Sequence, residues 1–249
     1  MINVAVGGAT GRLGCMVCGM IAGSEDMKLV GALVSPHGNS IGREWHGVTA
    51  HGPCDLEKVL KDADVYVDLT SPDAASGIVT RVPAAGVNMI IGTTSIPDNI
   101  IRKVKEAVSE NGTSALVSAN FAAGVNVFWK TCGMLAAALR DYDIEIIEKH
   151  HSRKKDAPSG TAAETVRRII SASETGAAAG RREVRVHSVR AGDFVGDHTV
   201  IFAGGMETIE LTHSVVSREA FAKGCIESVK WIYGKKDGKV HEMSEVFGL

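Results

Sequence analysis

Between Ile2 and about Phe121 the chain repeats one pattern, a short β-branched apolar run followed by a segment with helical spacing. The runs are INVAVGG, KLVGALV, VYVDLT, NMIIGTT and SALVSAN. Strands that are apolar throughout have both faces covered, and a helix between each pair makes neighbours parallel. This predicts an α/β Rossmann-type parallel sheet. The plainest of its helices is PDNIIRKVKEAVSENG, with Pro97 near the start and Gly112 just past the end.

The pattern then changes. Residues 121–140, FAAGVNVFWKTCGMLAAALR, read as a longer apolar helix. DYDIEIIEKHH, REVRVHSVR, HTVIFAGG and METIELTHSVV read as partly alternating strands, with one helix from Thr161 to about Ile170 among them. That is an α+β mixed-sheet domain, expected over 122–216. Ser217 suits the cap of a last helix, REAFAKGCIESVKWIYG, which is expected to return to the first domain. The nucleotide-type domain would then span 1–121 and 217–249.

Bulk properties narrow the field. A formal charge of -2 gives no global reason to bind nucleic acid or a membrane surface, so any basic patch is local. No apolar run approaches the ~20 residues of a spanning helix, and the opening MINVAVGG lacks a basic n-region and cleavage site. A cytoplasmic protein is expected. The five cysteines, Cys15, Cys18, Cys54, Cys132 and Cys225, are scattered and odd in number, which fits a reducing compartment. Cys15 and Cys18 have metal-like spacing, but no second pair accompanies them in LGCMVCGMIAG. Both read as buried helix residues, and no metal is expected.

The first strand runs into VAVGGATGRLG, which places Gly8, Gly11 and Gly14 in the turn and first helix. Glycines there allow a tight turn, close approach to a pyrophosphate and close helix–strand packing. The second strand ends VSPHGN, without the carboxylate that would hold a ribose 2′-hydroxyl. NAD is not enforced, and Arg12 or His37 can face a 2′-phosphate. At two more strand ends stand Gly92, Thr93 and Thr94, and Ser118, Ala119, Asn120 and Phe121. These small polar groups suit a nicotinamide ribose and carboxamide, and ordinary loop capping explains them equally.

The densest chemistry is EKHHSRKKDAPSGTAAE, residues 148–164. Thr161-x-x-Glu164 has the form of a capping box before Val166, Ile169 and Ile170. The helix start would present unpaired N–H groups to an anion. Just upstream stand His150, His151, Arg153, Lys154 and Lys155. Cations beside a helix N-terminus suit a carboxylated or phosphorylated substrate, and histidine can give a proton near neutral pH. A solvated basic loop is the plain alternative.

The run HHSRKKDAPSGTA resembles the signature of the 4-hydroxy-tetrahydrodipicolinate (dihydrodipicolinate) reductase family. That signature is His-His, two residues, Lys, one residue, then Asp-Ala-Pro-Ser-Gly-Thr-Ala, and every position is matched. VAVGGATGRLG, GTT, SANFAAGVN, RAGDFVGDHTVIFAG and ETIELTHSVVSREAFAKG extend the likeness over nearly the whole chain. The resemblance implies NADPH- or NADH-dependent reduction of a dicarboxylate ring in the diaminopimelate route to lysine. It implies His150 as proton donor and Lys154 as second acid or electrostatic partner. It places His151, Ser159, Gly160 and Thr161 on the substrate carboxylates. For the cofactor it implies Gly8, Ala9, Thr10, Gly11, Arg12 and Leu13, with Gly92 to Thr94 and Ser118 to Phe121. A homotetramer joined through the second domain's sheet is also implied.

Two rivals share these residues: a different NAD(P)-dependent reductase of a carboxylated imine or semialdehyde, and a non-catalytic dinucleotide sensor that binds a partner through the basic loop. The sensor predicts binding without turnover.

Overall fold

The structure is a computed structural model and describes residues 1–173 and 183–249. The first residue of the predicted strand REVRVHSVR, Arg182, lies outside the described residues. The chain divides into two compact units, Met1–Ala122 with Phe221–Gly248, and Ala123–Ala220.

The first unit contains β1 (Ile2–Gly7), α1 (Arg12–Ala22), β2 (Met27–Leu33), β3 (Glu44–Trp45), β4 (Val48–His51), α2 (Leu56–Leu60), β5 (Val65–Asp68), α3 (Pro72–Ile78), β6 (Asn88–Ile91), α4 (Asp98–Asn111) and β7 (Ala115–Val117). The second contains α5 (Ala123–Ala138), β8 (Asp143–His150), α6 (Gly160–Ser173), β9 (Val184–Arg190), β10 (Gly196–Gly204) and β11 (Glu207–Val215). The chain ends with α7 (Glu219–Ile232), β12 (Val240–Glu242) and α8 (Met243–Val246).

The first sheet has the order β12-β7-β6-β5-β1-β2-β4-β3, parallel except for the β3–β4 edge. Its central strands are buried on both faces. Val4, Val6, Val65, Val67 and Ile90 pack with Val17 and Ile21 of α1 and Val229 and Ile232 of α7. Tyr66, Met89 and Ile91 point the other way, toward α2, α3 and α4. Burying each large aliphatic side chain contributes roughly 1.5–3 kcal/mol, so the continuous apolar runs are what make these strands central. In α1 the buried residues are Gly14, Val17, Cys18 and Ile21, one helical face. Cys15 falls on the opposite side and is exposed, so only one of the two cysteines expected to be buried is so.

The second sheet has the order β11-β10-β8-β9, antiparallel except for β8–β9. Alternation decides its faces. Ile144, Ile146, Glu148 and His150 of β8, with His198, Val200 and Phe202 of β10, are buried. This face meets the helices: Ser159 at the start of α6 bonds His198, and Gly124 of α5 lies against His213. The mixed sheet with helices beside it is the α+β arrangement expected.

Candidate active site

Around β1 the strand order reverses: β2 pairs on one side and β5 on the other, both parallel. Such a reversal opens a crevice at the strands' carboxyl ends. The cavity there has a volume of about 770 Å³ and is lined by Gly8, Thr10 and Gly11 after β1, Val34 to His37 after β2, and Leu69 to Ser71 with Asp73 and Ala74 after β5. That size suits a cofactor-sized ligand. Gly8 has φ +75, and a side chain on it would overlap the Leu69 carbonyl; one on Gly14 would overlap the carbonyl of Gly8. No side chain caps α1, whose N-cap is Gly11. The cradle thus leaves backbone N–H groups for phosphate oxygens, and its residues fit a dinucleotide.

The remaining residues predicted on the cofactor are placed as follows. Ala9 is buried, Leu13 is half-buried, and Arg12 is exposed. Gly92 leaves room for the ring of Phe121, which is itself 2% exposed and part of the core. The Thr93 hydroxyl turns inward and donates to Asp68 at 2.5 Å, while receiving the N–H of Thr70 at 2.9 Å. Asp68 also takes the hydroxyls of Tyr66 and Thr70. This buried carboxylate ties the loops after β5 and β6 together, and sequence reasoning missed it. Ser118 donates to the Asn120 carbonyl at 2.8 Å and Asn120 receives the N–H of Ala122, so these two shape their own turn.

In the second unit, His150 ends β8 with its ring 10% exposed and Nδ1 bonded to Glu148. Glu148 is fully buried and also takes Arg190 at 2.6 Å. Burial pushes its carboxyl up, yet the bonds from Arg190, Ser188 and His150 prevail and hold it below its usual range, so it is a carboxylate. Nδ1 of His150 therefore carries a proton in either charge state, and the exchangeable proton sits on Nε2. Burial lowers the proton affinity of His150, against the pull of Glu148. Nε2 faces Gly196, where a side chain's Cβ would stand 3.1 Å away.

His198 lies across from Glu148 in the β8–β10 register, its ring in edge contact with His150 at 5.3 Å. Burial first, and then His150, push it down to about 4, so it is neutral. Lys154 reaches Asp156 at 2.8 Å, and this bond holds the Asp156 carboxyl low.

One expectation is corrected. The cap of α6 is Ser159, whose hydroxyl oxygen receives the N–H of Ala162 at 3.1 Å. Thr161 is already inside the helix, and Glu164 pairs with Arg167 and Arg168 instead of closing a capping box. The helix starts one residue earlier because Ser159 can both cap it and hydrogen-bond Nε2 of His198 at 3.0 Å. The structure brings His150, Lys154 and Ser159 into one neighbourhood, with Gly160 and Thr161 in the first turn of α6. His151 follows β8 and is half-buried.

Glu148, Arg190 and His198 are the residues sequence reasoning missed. The signal was present for Glu148: a carboxylate in the apolar phase of an alternating strand demands a partner. Glu148, His150 and His198 each put a ligand atom within 4.8 Å of the others, near enough for a divalent cation. Both Glu148 oxygens are engaged, however, and Arg190 and Lys154 add positive charge. With its carboxylate satisfied and Nε2 of His150 left open, this donor set is arranged to exchange a proton rather than to hold a cation.

Side chains can deliver a proton but not a hydride; that requires a carrier. A buried histidine–carboxylate pair able to exchange a proton, and a glycine cradle fit for a dinucleotide, are the parts a nicotinamide-dependent reductase needs, and that is the class these residues define. Residues 2–121 match the family described as Dihydrodipicolinate reductase, N-terminus, and residues 124–247 match Dihydrodipicolinate reductase, C-terminus. The chain belongs to the dihydrodipicolinate reductase family. It is 44% identical to the 4-hydroxy-tetrahydrodipicolinate reductase of Methanocaldococcus jannaschii, covering 100% of this chain and 98% of that one. It is 42% identical to that of Methanosarcina mazei, covering 100% of both. Dipicolinate-bound dihydrodipicolinate reductase from Paenisporosarcina sp. TG-14 superposes with TM-score 0.80 at 25% identity, covering 98% of each chain. Diaminopimelate dehydrogenase from C. glutamicum shares the fold, with TM-score 0.60 at 17% identity, over 98% of this chain and 93% of that one.

Proposed function

We propose that His150 and Lys154 supply the proton in NAD(P)H-dependent reduction of 4-hydroxy-tetrahydrodipicolinate, the reaction of this family in diaminopimelate and lysine biosynthesis. The observation that carries this reading is the His150–Glu148 contact, which fixes Nδ1 and leaves Nε2 as the only edge from which a proton can leave.

A bound reduced nicotinamide supplies the hydride. The residues that would hold it are Gly8 to Leu13, Gly92 to Thr94 and Ser118 to Phe121, with the pyrophosphate at the start of α1. No carboxylate stands at the end of β2 to reject a 2′-phosphate, so NADH and NADPH are both admissible. Charge that develops on the acceptor ring is met by the Nε2 proton of His150, with Lys154 beside it. The dicarboxylate is held by His151 and by the first turn of α6 at Gly160 and Thr161, where backbone N–H groups favour anions. Ser159 acts there through the helix cap and through His198.

Assembly as a homotetramer through the second sheet is part of this reading. The outward face of that sheet carries half-exposed Ile147, Thr199 and Ile201, with Val189 at 39% exposure, and Phe194 in the loop before β10 is 41% exposed. Light scattering on the purified chain tests it; a monomer refutes it. No helix among the described residues is long and apolar enough to cross a membrane, and action in the cytoplasm on a small free substrate is the corresponding reading.

The deciding assay follows nicotinamide oxidation with the ring substrate made in situ from pyruvate and aspartate semialdehyde by a coupled synthase. NADH and NADPH are run side by side. Turnover that needs the synthase supports the reductase, and cofactor binding without turnover supports the sensor.

A further inference from the structure

We propose that Glu148 and Arg190 are positioning residues that join the proton donor and the substrate-binding turn into one mechanical and electrostatic unit. The proposal rests on the reading of His150 as the proton donor.

The two ends of the unit are the two acids predicted from sequence. His150 bonds Glu148; Glu148 takes Nη2 of Arg190 at 2.6 Å; the same Nη2 donates to the Asp156 carbonyl at 2.6 Å; and the Asp156 carboxylate takes Lys154 at 2.8 Å. Asp156 opens the Asp156–Gly160 turn that leads into α6. Arg190 is held in turn by Nη1 on the Val189 carbonyl at 2.9 Å. A planar guanidinium can serve a carboxylate and a carbonyl together, which an ammonium point charge does less well. The strand that bears His150 and the turn that bears the anion site therefore cannot move independently without breaking a buried ion pair.

The pair also sets the charge around His150. The groups that face it are Glu148 from its own strand, Arg190 from β9, His198 from β10 and Lys154 from the following loop. Glu148 is the one anion among these four. Remove its charge, and burial together with two cations drives the proton off His150. Glu148 thus keeps the imidazolium accessible, and Arg190 keeps Glu148 ionised although its side chain is fully buried.

The experiment compares wild type with Glu148→Gln, Arg190→Lys and Arg190→Gln in the full-length chain. Steady-state pH profiles are recorded, and His150 is titrated by NMR in the absence of substrate. Expected for Glu148→Gln is a fall in kcat on the order of 10²-fold with little change in KM. The alkaline limb of the profile and the NMR midpoint of His150 both move toward acid by about one pH unit or more. Arg190→Lys should recover part of the kcat that Arg190→Gln loses. An unmoved limb and midpoint in Glu148→Gln would overturn the proposal, as would Arg190→Lys no better than Arg190→Gln. If Glu148→Gln does not fold, the two Arg190 variants give the same readouts. A wild type without turnover would sink the functional reading alone, because the NMR midpoint still tests the pair.

Discussion

The Ser159 hydroxyl caps α6 and stands 3.0 Å from Nε2 of His198. Its oxygen also receives the Ala162 N–H, so one hydroxyl ties the neutral imidazole of His198 to the first turn of the helix. One side chain thus starts a helix and anchors a ring that is 3% exposed. Ser159→Ala removes both bonds and should destabilise the second unit by about 1–3 kcal/mol, read as a shift in urea midpoint.

Stability should fall in acid, and His198 should be a main cause. The unfolded chain protonates this histidine below the ordinary 6.5, whereas the fold keeps it neutral down to about 4. The stabilisation is complete above 6.5 and is lost as pH falls through about 4, on the order of 3 kcal/mol in all. His198→Gln should flatten the stability curve between those values, with His150, also depressed, keeping a residual slope. An equal slope in variant and wild type would remove His198 from the account.

Replacing His150 should cost on the order of 10²–10⁴-fold in turnover if it is the general acid. Lys154→Ala should lower turnover far more than it changes cofactor affinity. Cofactor affinity is read by fluorescence titration of the nicotinamide. Equal losses in both would make Lys154 a structural residue, and wild-type turnover without His150 would exclude it from the chemistry.

The pH profile has a required sign. On the proposed reading the acid form of His150 is the active one, and burial holds its proton affinity below the usual range. In the free enzyme kcat/KM should therefore decline as pH rises through a midpoint below 6.5. Two substrate carboxylates beside the imidazolium raise its affinity, so the alkaline limb of kcat should lie at higher pH. The comparison is made with deuterated nicotinamide to confirm that chemistry is rate-limiting. A kcat limb at the same pH or lower would contradict the assignment.

Cysteine labelling separates surface from core. Cys15 and Cys54 are exposed, while burial pushes the thiols of Cys18, Cys132 and Cys225 up to about 12. A thiol reagent should label two sites in the native chain and five on unfolding. Early labelling of Cys18 would mean that α1 opens readily.

The parallel sheet was legible because its strands are short, uninterrupted apolar runs, and burial on both faces admits little else. β3, β4 and β12 were not, since EW, VTAH and VHE contain no uninterrupted apolar run. The boundary of α6 was missed for a related reason. Thr161-x-x-Glu164 satisfies the capping pattern locally, but only the tertiary fold supplies His198 as the second partner that favours Ser159.

The sequence alone determined the alternation of the central strands and helices of the first unit, the glycine cradle, and the concentration of histidine, lysine and a helix start within residues 148–164. Those features depend on neighbours in the chain, where periodicity and spacing act directly. The buried surroundings of His150 depend on register. Pairing sets Glu148 opposite His198 in β10, and His150 beside Arg190 in β9, across forty or more positions of sequence. Such pairs leave no local trace, because a buried charge is tolerated only where the fold delivers its partner, and that partner is chosen by strand pairing and burial together.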